Sequence, residues 1–151
     1  MVNKVAWITG AGSGIGEASA IKLSEEGFVV LLSGRTKGAL DTVASKCKGQ
    51  ASVKPLDVSI AEDVEGVFKN IISDYGRIDV LVASAGLNAK NRNWHNVSEE
   101  DFDQIIKIDL NGVFYTNRLV LEKMMEQREG LIINISSWAG KYVTTLTGPA
   151  Y

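Results

Sequence analysis

An α/β fold is what this sequence predicts: a doubly wound parallel sheet with helices on both faces. Three observations carry that expectation. Short, almost continuously apolar runs alternate with helical patterns along the whole chain, no repeat or low-complexity linker breaks the alternation, and the first run leads straight into a glycine-rich turn. The runs are residues 5–8, 28–32, 78–83 and 131–135; hydrophobicity this continuous suits parallel strands buried on both sides.

Composition narrows the possibilities. With 151 residues, 45% hydrophobic and 23% charged, the chain fits one ordinary domain, residues 1–151, with its own core. A formal net charge of −2 gives no electrostatic reason to expect nucleic acid or an anionic membrane, so a small-molecule partner is more natural. The single cysteine, Cys47, cannot form an internal disulfide and fits a reducing compartment. Only a short apolar stretch precedes Gly10, so a cytoplasmic location is expected.

Taken in chain order, the first strand runs into Thr9-Gly10-Ala11-Gly12-Ser13-Gly14-Ile15-Gly16, and Ala18, Ile21 and Leu23 then begin a helical pattern. Glycines let the main chain turn tightly and approach a pyrophosphate, while a helix start offers unpaired N–H groups and the positive end of a dipole. Gly10, Ser13, Gly14, Ile15 and Gly16 are therefore candidate cofactor contacts, in the register G-x-x-x-G-x-G. The second strand ends at Ser33-Gly34-Arg35-Thr36, where an NAD-binding domain usually carries an acid against the ribose. Arg35 can instead pair with a 2′-phosphate, which favours NADP over NAD, or it opens the next loop and stacks on adenine. Asp57 and Val58, past the third strand, are placed either for the adenine edge or, in the case of Asp57, as a turn residue.

Residues 60–75 show the clearest helical stripe, with Ser59 and Glu62 at capping-box spacing and Gly76 at the expected stop. The loop 87–96 is irregular and asparagine-rich; His95 in it is either a substrate contact or an exposed side chain, and no cluster supports a metal site. Ser98 and the acids after it open a helix of about thirty residues through Phe102, Ile105, Ile106, Val113, Val120 and Met124. Asp109, seven residues after Phe102, falls on its apolar stripe, so its carboxylate needs a partner or a raised pKa. The expected strand order is 3-2-1-4-5, which leaves the apolar run 131–135 on an edge.

With these motifs in view, the chain resembles the classical short-chain dehydrogenase/reductase family over its whole length. Thr9-Gly10-x-x-x-Gly14-x-Gly16 looks like the family's cofactor turn and Asp57-Val58 like its adenine contact. Ala83-Ser84-Ala85-Gly86 is similar to the Asn-Asn-Ala-Gly motif, with Ser84 in place of the second asparagine, and this adds Ser84, Ala85 and Gly86 to the cofactor-binding candidates. Asn134-Ile135-Ser136-Ser137 is similar to the segment carrying the family's serine, and Tyr151 sits where the family has the tyrosine of Tyr-x-x-x-Lys. Within the long helix, the register puts the family's catalytic asparagine at Asp109, not Asn111.

The resemblance implies a Rossmann-type fold, here five of the family's strands, and a nicotinamide-dependent oxidoreductase acting on a carbonyl or secondary alcohol. A non-catalytic dinucleotide-binding or sensor protein on the same fold is the alternative. Catalytic roles are expected for Tyr151 as acid/base, Ser137 (with Ser136 its rival) as hydrogen-bond donor to the substrate oxygen, and Asp109, which is functional or structural. Nothing follows Tyr151 in this sequence, so the family's lysine four positions on is missing. The chain is accordingly expected to be the N-terminal part of a longer homo-oligomeric protein, inactive by itself.

Overall fold

Five parallel strands form one sheet in the computed structural model, which describes residues 4–90, 92–142 and 148–150. They are β1 (Val5–Thr9), β2 (Val29–Ser33), β3 (Ala51–Val53), β4 (Val80–Ala83) and β5 (Leu131–Asn134), in the order β3-β2-β1-β4-β5. The α/β class and the strand order agree with expectation. In β1, β2 and β4 every residue is buried, because each is hydrogen-bonded on both sides and covered on both faces.

Alternate residues of these strands feed two cores. Val5, Trp7, Val29, Leu31 and Leu81 pack on one face against α3 (Ala61–Tyr75) and α5 (Gly112–Gln127). Ala6, Ile8, Val30, Leu32 and Val82 pack on the other with Ala20 of α1 (Gly14–Glu25) and Leu40 and Val43 of α2 (Lys37–Ala44). Trp7 is fully buried, and its indole N–H donates to Ser33 Oγ at 2.9 Å. The Ser33 hydroxyl in turn donates to the Lys54 carbonyl at 2.7 Å, which ties β1, β2 and the end of β3 together.

Several boundaries differ from the sequence pattern, each for a local reason. Phe28 is not in the second strand. Its N–H bonds back to Leu23 O while Gly27, at φ +85°, bonds to Ser24 O; this Schellman closure uses Phe28 to end α1. Ile78 precedes β4 and is held by Gln127, whose side chain accepts from its N–H and donates to its carbonyl. The capping box at Ser59 and Glu62 does not form. Ile60 is the N-cap of α3, no side chain caps it, and the Ser59 hydroxyl and N–H both donate to Asp57 Oδ1, at 2.7 and 2.9 Å. A carboxylate two residues upstream outcompetes the helix start for that serine. Gly76 does end α3, at φ +73°.

The long helix runs as α4 (Glu99–Ile105), a wide π turn (Ile106–Asn111) and α5, and Ser98 caps it by accepting from the Asp101 N–H. The π turn inserts a residue and shifts the buried stripe to Ile105, Ile108, Gly112, Thr116, Val120 and Met124. Phe102, expected inside, is 39% exposed, and Val113 is only half-buried. Asp109 therefore sits half-buried beside the stripe and not on it. Among the described residues no helix is long and apolar enough to cross a membrane.

Candidate functional site

The site is built at the carboxyl ends of the strands, where β1 and β4 part company and the sheet reverses its winding. Gly10 follows β1 at φ +64°, and a Cβ there would stand 2.7 Å from the Ala85 Cα and amide nitrogen. Only glycine allows that approach. At Gly16 a Cβ would meet the Gly10 carbonyl oxygen at 2.3 Å, so the first turn of α1 packs on the turn that precedes it. Gly14, at φ +57°, has nothing within 4 Å of where a Cβ would be. Ser13 is the N-cap but its side chain makes no cap bond. The start of α1 is thus an uncapped set of N–H groups above open space, with the exposed Ile15 beside it, which fits an anion such as a pyrophosphate.

Two cavities lie at this end of the sheet, the first of them bordered by the glycine turn. The first, about 300 Å³, is lined by Gly10, Gly12 and Ser13 on one side and by Arg35, Asp57 and Val58 on the other. The second, about 500 Å³, is lined by Ser84, Leu87, Asn88, Arg92, Asp109, Ser136 and Ser137. Ala85 and Gly86 line both, so the two form one groove across the sheet's end. The Thr9 hydroxyl holds the shared segment, accepting from the Ser84 and Ala85 N–H groups at 3.2 and 3.3 Å. Thr9 was visible in sequence only as the last residue before the turn, and its clasp on residues 75 and 76 positions away had no local signal.

Each chamber carries a distinctive charge pattern. Among the described residues neither Arg35 nor Arg92 forms an ion pair, in contrast to Arg77, which pairs with Asp79 and Glu129. Asp57 is a turn residue through its bonds from Ser59 and also faces the first chamber. Val58 is buried and packs on Gly112, where a Cβ would come within 2.8 Å of Val58 Cγ2. Asp109 accepts from the Leu87 N–H at 2.7 Å. Burial pushes its carboxyl above the ordinary 3.8, and the Leu87 bond draws it part of the way back. The carboxyl thus has both a hydrogen-bond partner and a raised pKa, although it lies beside the apolar stripe and not on it.

The Ser137 oxygen accepts from the Ala139 N–H at 3.1 Å, capping a short 3₁₀ turn at Trp138–Gly140 and leaving the hydroxyl proton to donate elsewhere. Ser136 is the more exposed of the two serines. His95 is exposed and lines neither chamber. Tyr151 lies outside the described residues; Ala150, just before it, lines the second chamber. Arg92 was legible in sequence only as one polar residue of an irregular loop. No group of three or more His, Cys, Asp or Glu side chains among the described residues could hold a metal ion.

Comparison with known proteins gives a consistent picture. The family model for short chain dehydrogenases matches residues 4–151. An uncharacterised oxidoreductase of Staphylococcus aureus is 40% identical over 148 residues, which is 95% of this chain and 62% of that protein. The 3-oxoacyl-[acyl-carrier-protein] reductase of Thermotoga maritima is 37% identical over 142 residues, 92% of this chain and 57% of the reductase. This chain thus spans about three-fifths of the length of such relatives. Among solved structures, a metagenomic short-chain oxidoreductase in complex with NADP superposes with a TM-score of 0.92 at 32% identity, covering 99% of this chain and 69% of its own.

Proposed function

This chain belongs to the short-chain dehydrogenase/reductase family, and from that membership we propose that it acts as an oxidoreductase, moving a hydride between a nicotinamide cofactor and a carbonyl or secondary alcohol. The observation that carries the reading is the two-chambered groove: an uncapped helix start and glycine cradle at one end, two serines and a half-buried carboxyl at the other.

In this reading Gly10, Ser13, Gly14, Ile15 and Gly16 hold the pyrophosphate through main-chain N–H groups, and Asp57 and Val58 flank the adenine. Ser84, Ala85 and Gly86 line the passage toward the second chamber. Arg35 pairs with a 2′-phosphate, which makes NADP(H) preferred over NAD(H); its lack of an ion pair among the described residues and the NADP complex of the related oxidoreductase support this. When bound, the nicotinamide supplies or accepts the hydride. The chain's own residues orient the substrate and handle the proton. Ser137 donates its free hydroxyl proton to the substrate oxygen as charge gathers there. Tyr151 transfers the proton; a free phenol titrates near pKa ~10, so the role needs positive charge close by. Asp109 holds the Leu87 main chain and so shapes the chamber wall.

A cofactor-coupled absorbance screen over alcohols and ketones, run on the full-length protein, tests the activity. Tyr151→Phe should lower turnover by roughly 10²–10⁴-fold while cofactor affinity is retained, and Ser137→Ala should lose less. Turnover largely intact in Tyr151→Phe would refute the proton-transfer assignment. Titration with both cofactors should give NADP(H) an advantage of about tenfold from one exposed charge-assisted contact, reversed by Arg35→Asp. Equal or tighter NAD(H) binding by the unmutated protein would refute the cofactor preference.

A further inference from the structure

The second chamber contains a charge that nothing in the reaction just proposed consumes. Of the described residues lining it, Arg92 and Asp109 are the two ionisable ones. Asp109 is already engaged by the Leu87 N–H, whereas Arg92, an exposed side chain on the lining of a cavity of about 500 Å³, has no carboxylate paired to it among the described residues. The loop carrying it is pinned from behind. Gly148 is buried against it, so closely that a Cβ there would stand 3.2 Å from the Arg92 Cα and carbonyl oxygen. A contact that leaves so little room beside Gly148 holds the Arg92 main chain in place, so the side chain starts from a fixed point and less entropy is lost when it binds a partner.

We propose that Arg92 is an anion anchor for the substrate, and that the substrate is a small oxo- or hydroxy-acid whose carboxylate lies against Arg92 while its reacting carbon lies toward Ser137. The proposal rests on the oxidoreductase reading for the reacting carbon, but not for the anchor itself. A planar guanidinium matches a carboxylate in a two-point fork. One guanidinium, with no second cation lining the chamber among the described residues, suits a single carboxylate better than a phosphate dianion. Asp109, on the same lining, is already engaged by the Leu87 N–H, which it accepts at 2.7 Å.

The test uses the full-length protein and two probes of nearly equal size, butanoate and butanamide, titrated by ligand-observed NMR with and without NADP(H). Butanoate should bind about tenfold more tightly than butanamide. The preference should vanish in Arg92→Gln and survive in part in Arg92→Lys, with butanamide binding and the melting temperature unchanged. The same ratio should appear in kcat/KM for 3-oxobutanoate against its methyl ester. Equal binding of the two probes by the unmutated protein overturns the proposal, as does an Arg92→Gln variant that weakens both alike, because Arg92 would then be a wall and not an anchor. Retained butanoate preference without turnover of either substrate supports the anchor and overturns the assignment of an oxo-acid as the substrate, while the screen over alcohols and ketones decides the oxidoreductase reading.

Discussion

Replacing Asp109 by asparagine and by alanine separates the work its oxygen does from the cost of its charge. Both changes remove a carboxylate that burial holds above its ordinary pKa of 3.8. A carboxyl raised in the folded state binds its proton more tightly there than in the unfolded chain. Its contribution to stability is therefore largest below the ordinary carboxylate value and is lost as pH rises through the folded pKa. Near neutral pH the parent carries the cost of a desolvated charge and either variant is relieved of it. Asparagine keeps an oxygen to accept from the Leu87 N–H, which Asp109 does at 2.7 Å; alanine leaves that N–H without its acceptor. The lost acceptor costs about 1–3 kcal/mol, and alanine recovers about 0.6 kcal/mol as the better helix former, so asparagine should exceed alanine by about 0.4–2.4 kcal/mol. Urea unfolding of the three proteins from about pH 3.5 to pH 7.5 measures this, and Asp109→Asn should gain on the parent as the pH rises. It should also keep or raise turnover. An alanine variant as stable as the asparagine one would refute the role of the Leu87 bond, and an asparagine variant that loses ground with rising pH would refute the sign of the pKa shift.

The glycines and Asp79, the one buried acid among the described residues, give further tests. Gly16→Ala should destabilise the protein by about 1–3 kcal/mol and weaken cofactor binding, because its Cβ would meet the Gly10 carbonyl oxygen at 2.3 Å and the turn must open. Gly66→Ala, mid-helix in α3 with nothing within 4 Å, should instead stabilise by about 0.5–1 kcal/mol; thermal melts and cofactor titration distinguish the pair. Asp79→Asn should cost about 2–4 kcal/mol, since the buried carboxylate accepts from the Val5 N–H at 2.7 Å and pairs with a partly exposed Arg77. Burial alone would raise the Asp79 pKa, but the Arg77 and Val5 bonds together hold it below 3.8. That contribution is present above the ordinary carboxylate value and is lost as pH falls through the folded pKa, so the parent should lose stability in acid more steeply than Asp79→Asn.

Much of this architecture was legible because it is local. Fully apolar runs identify strands covered on two faces, the glycine turn needs no partner to be recognised, and Ser98 and Gly76 mark helix ends through residues three or four positions away. The strand order followed from such units wound in the usual hand. What local pattern could not supply was competition and distance. Ser59 and Glu62 had the right spacing for a cap, yet Asp57 two residues earlier takes the serine. A heptad-like register put Asp109 and Phe102 on one stripe, but the π turn at Ile106–Asn111 rotates the helix between its two halves. The Thr9 clasp on Ser84, the meeting of both chambers at Ala85 and Gly86, and the pinning of Arg92 by Gly148 all join segments more than 50 positions apart. Contacts of that kind exist only after the chain has paid the entropy of closing long loops, so no window of sequence contains them. The amino-acid order by itself determined the sheet, the glycine turn and the identity of the candidate groups; only the tertiary structure decided which of those groups line one groove and which, among the described residues, carry no paired charge there.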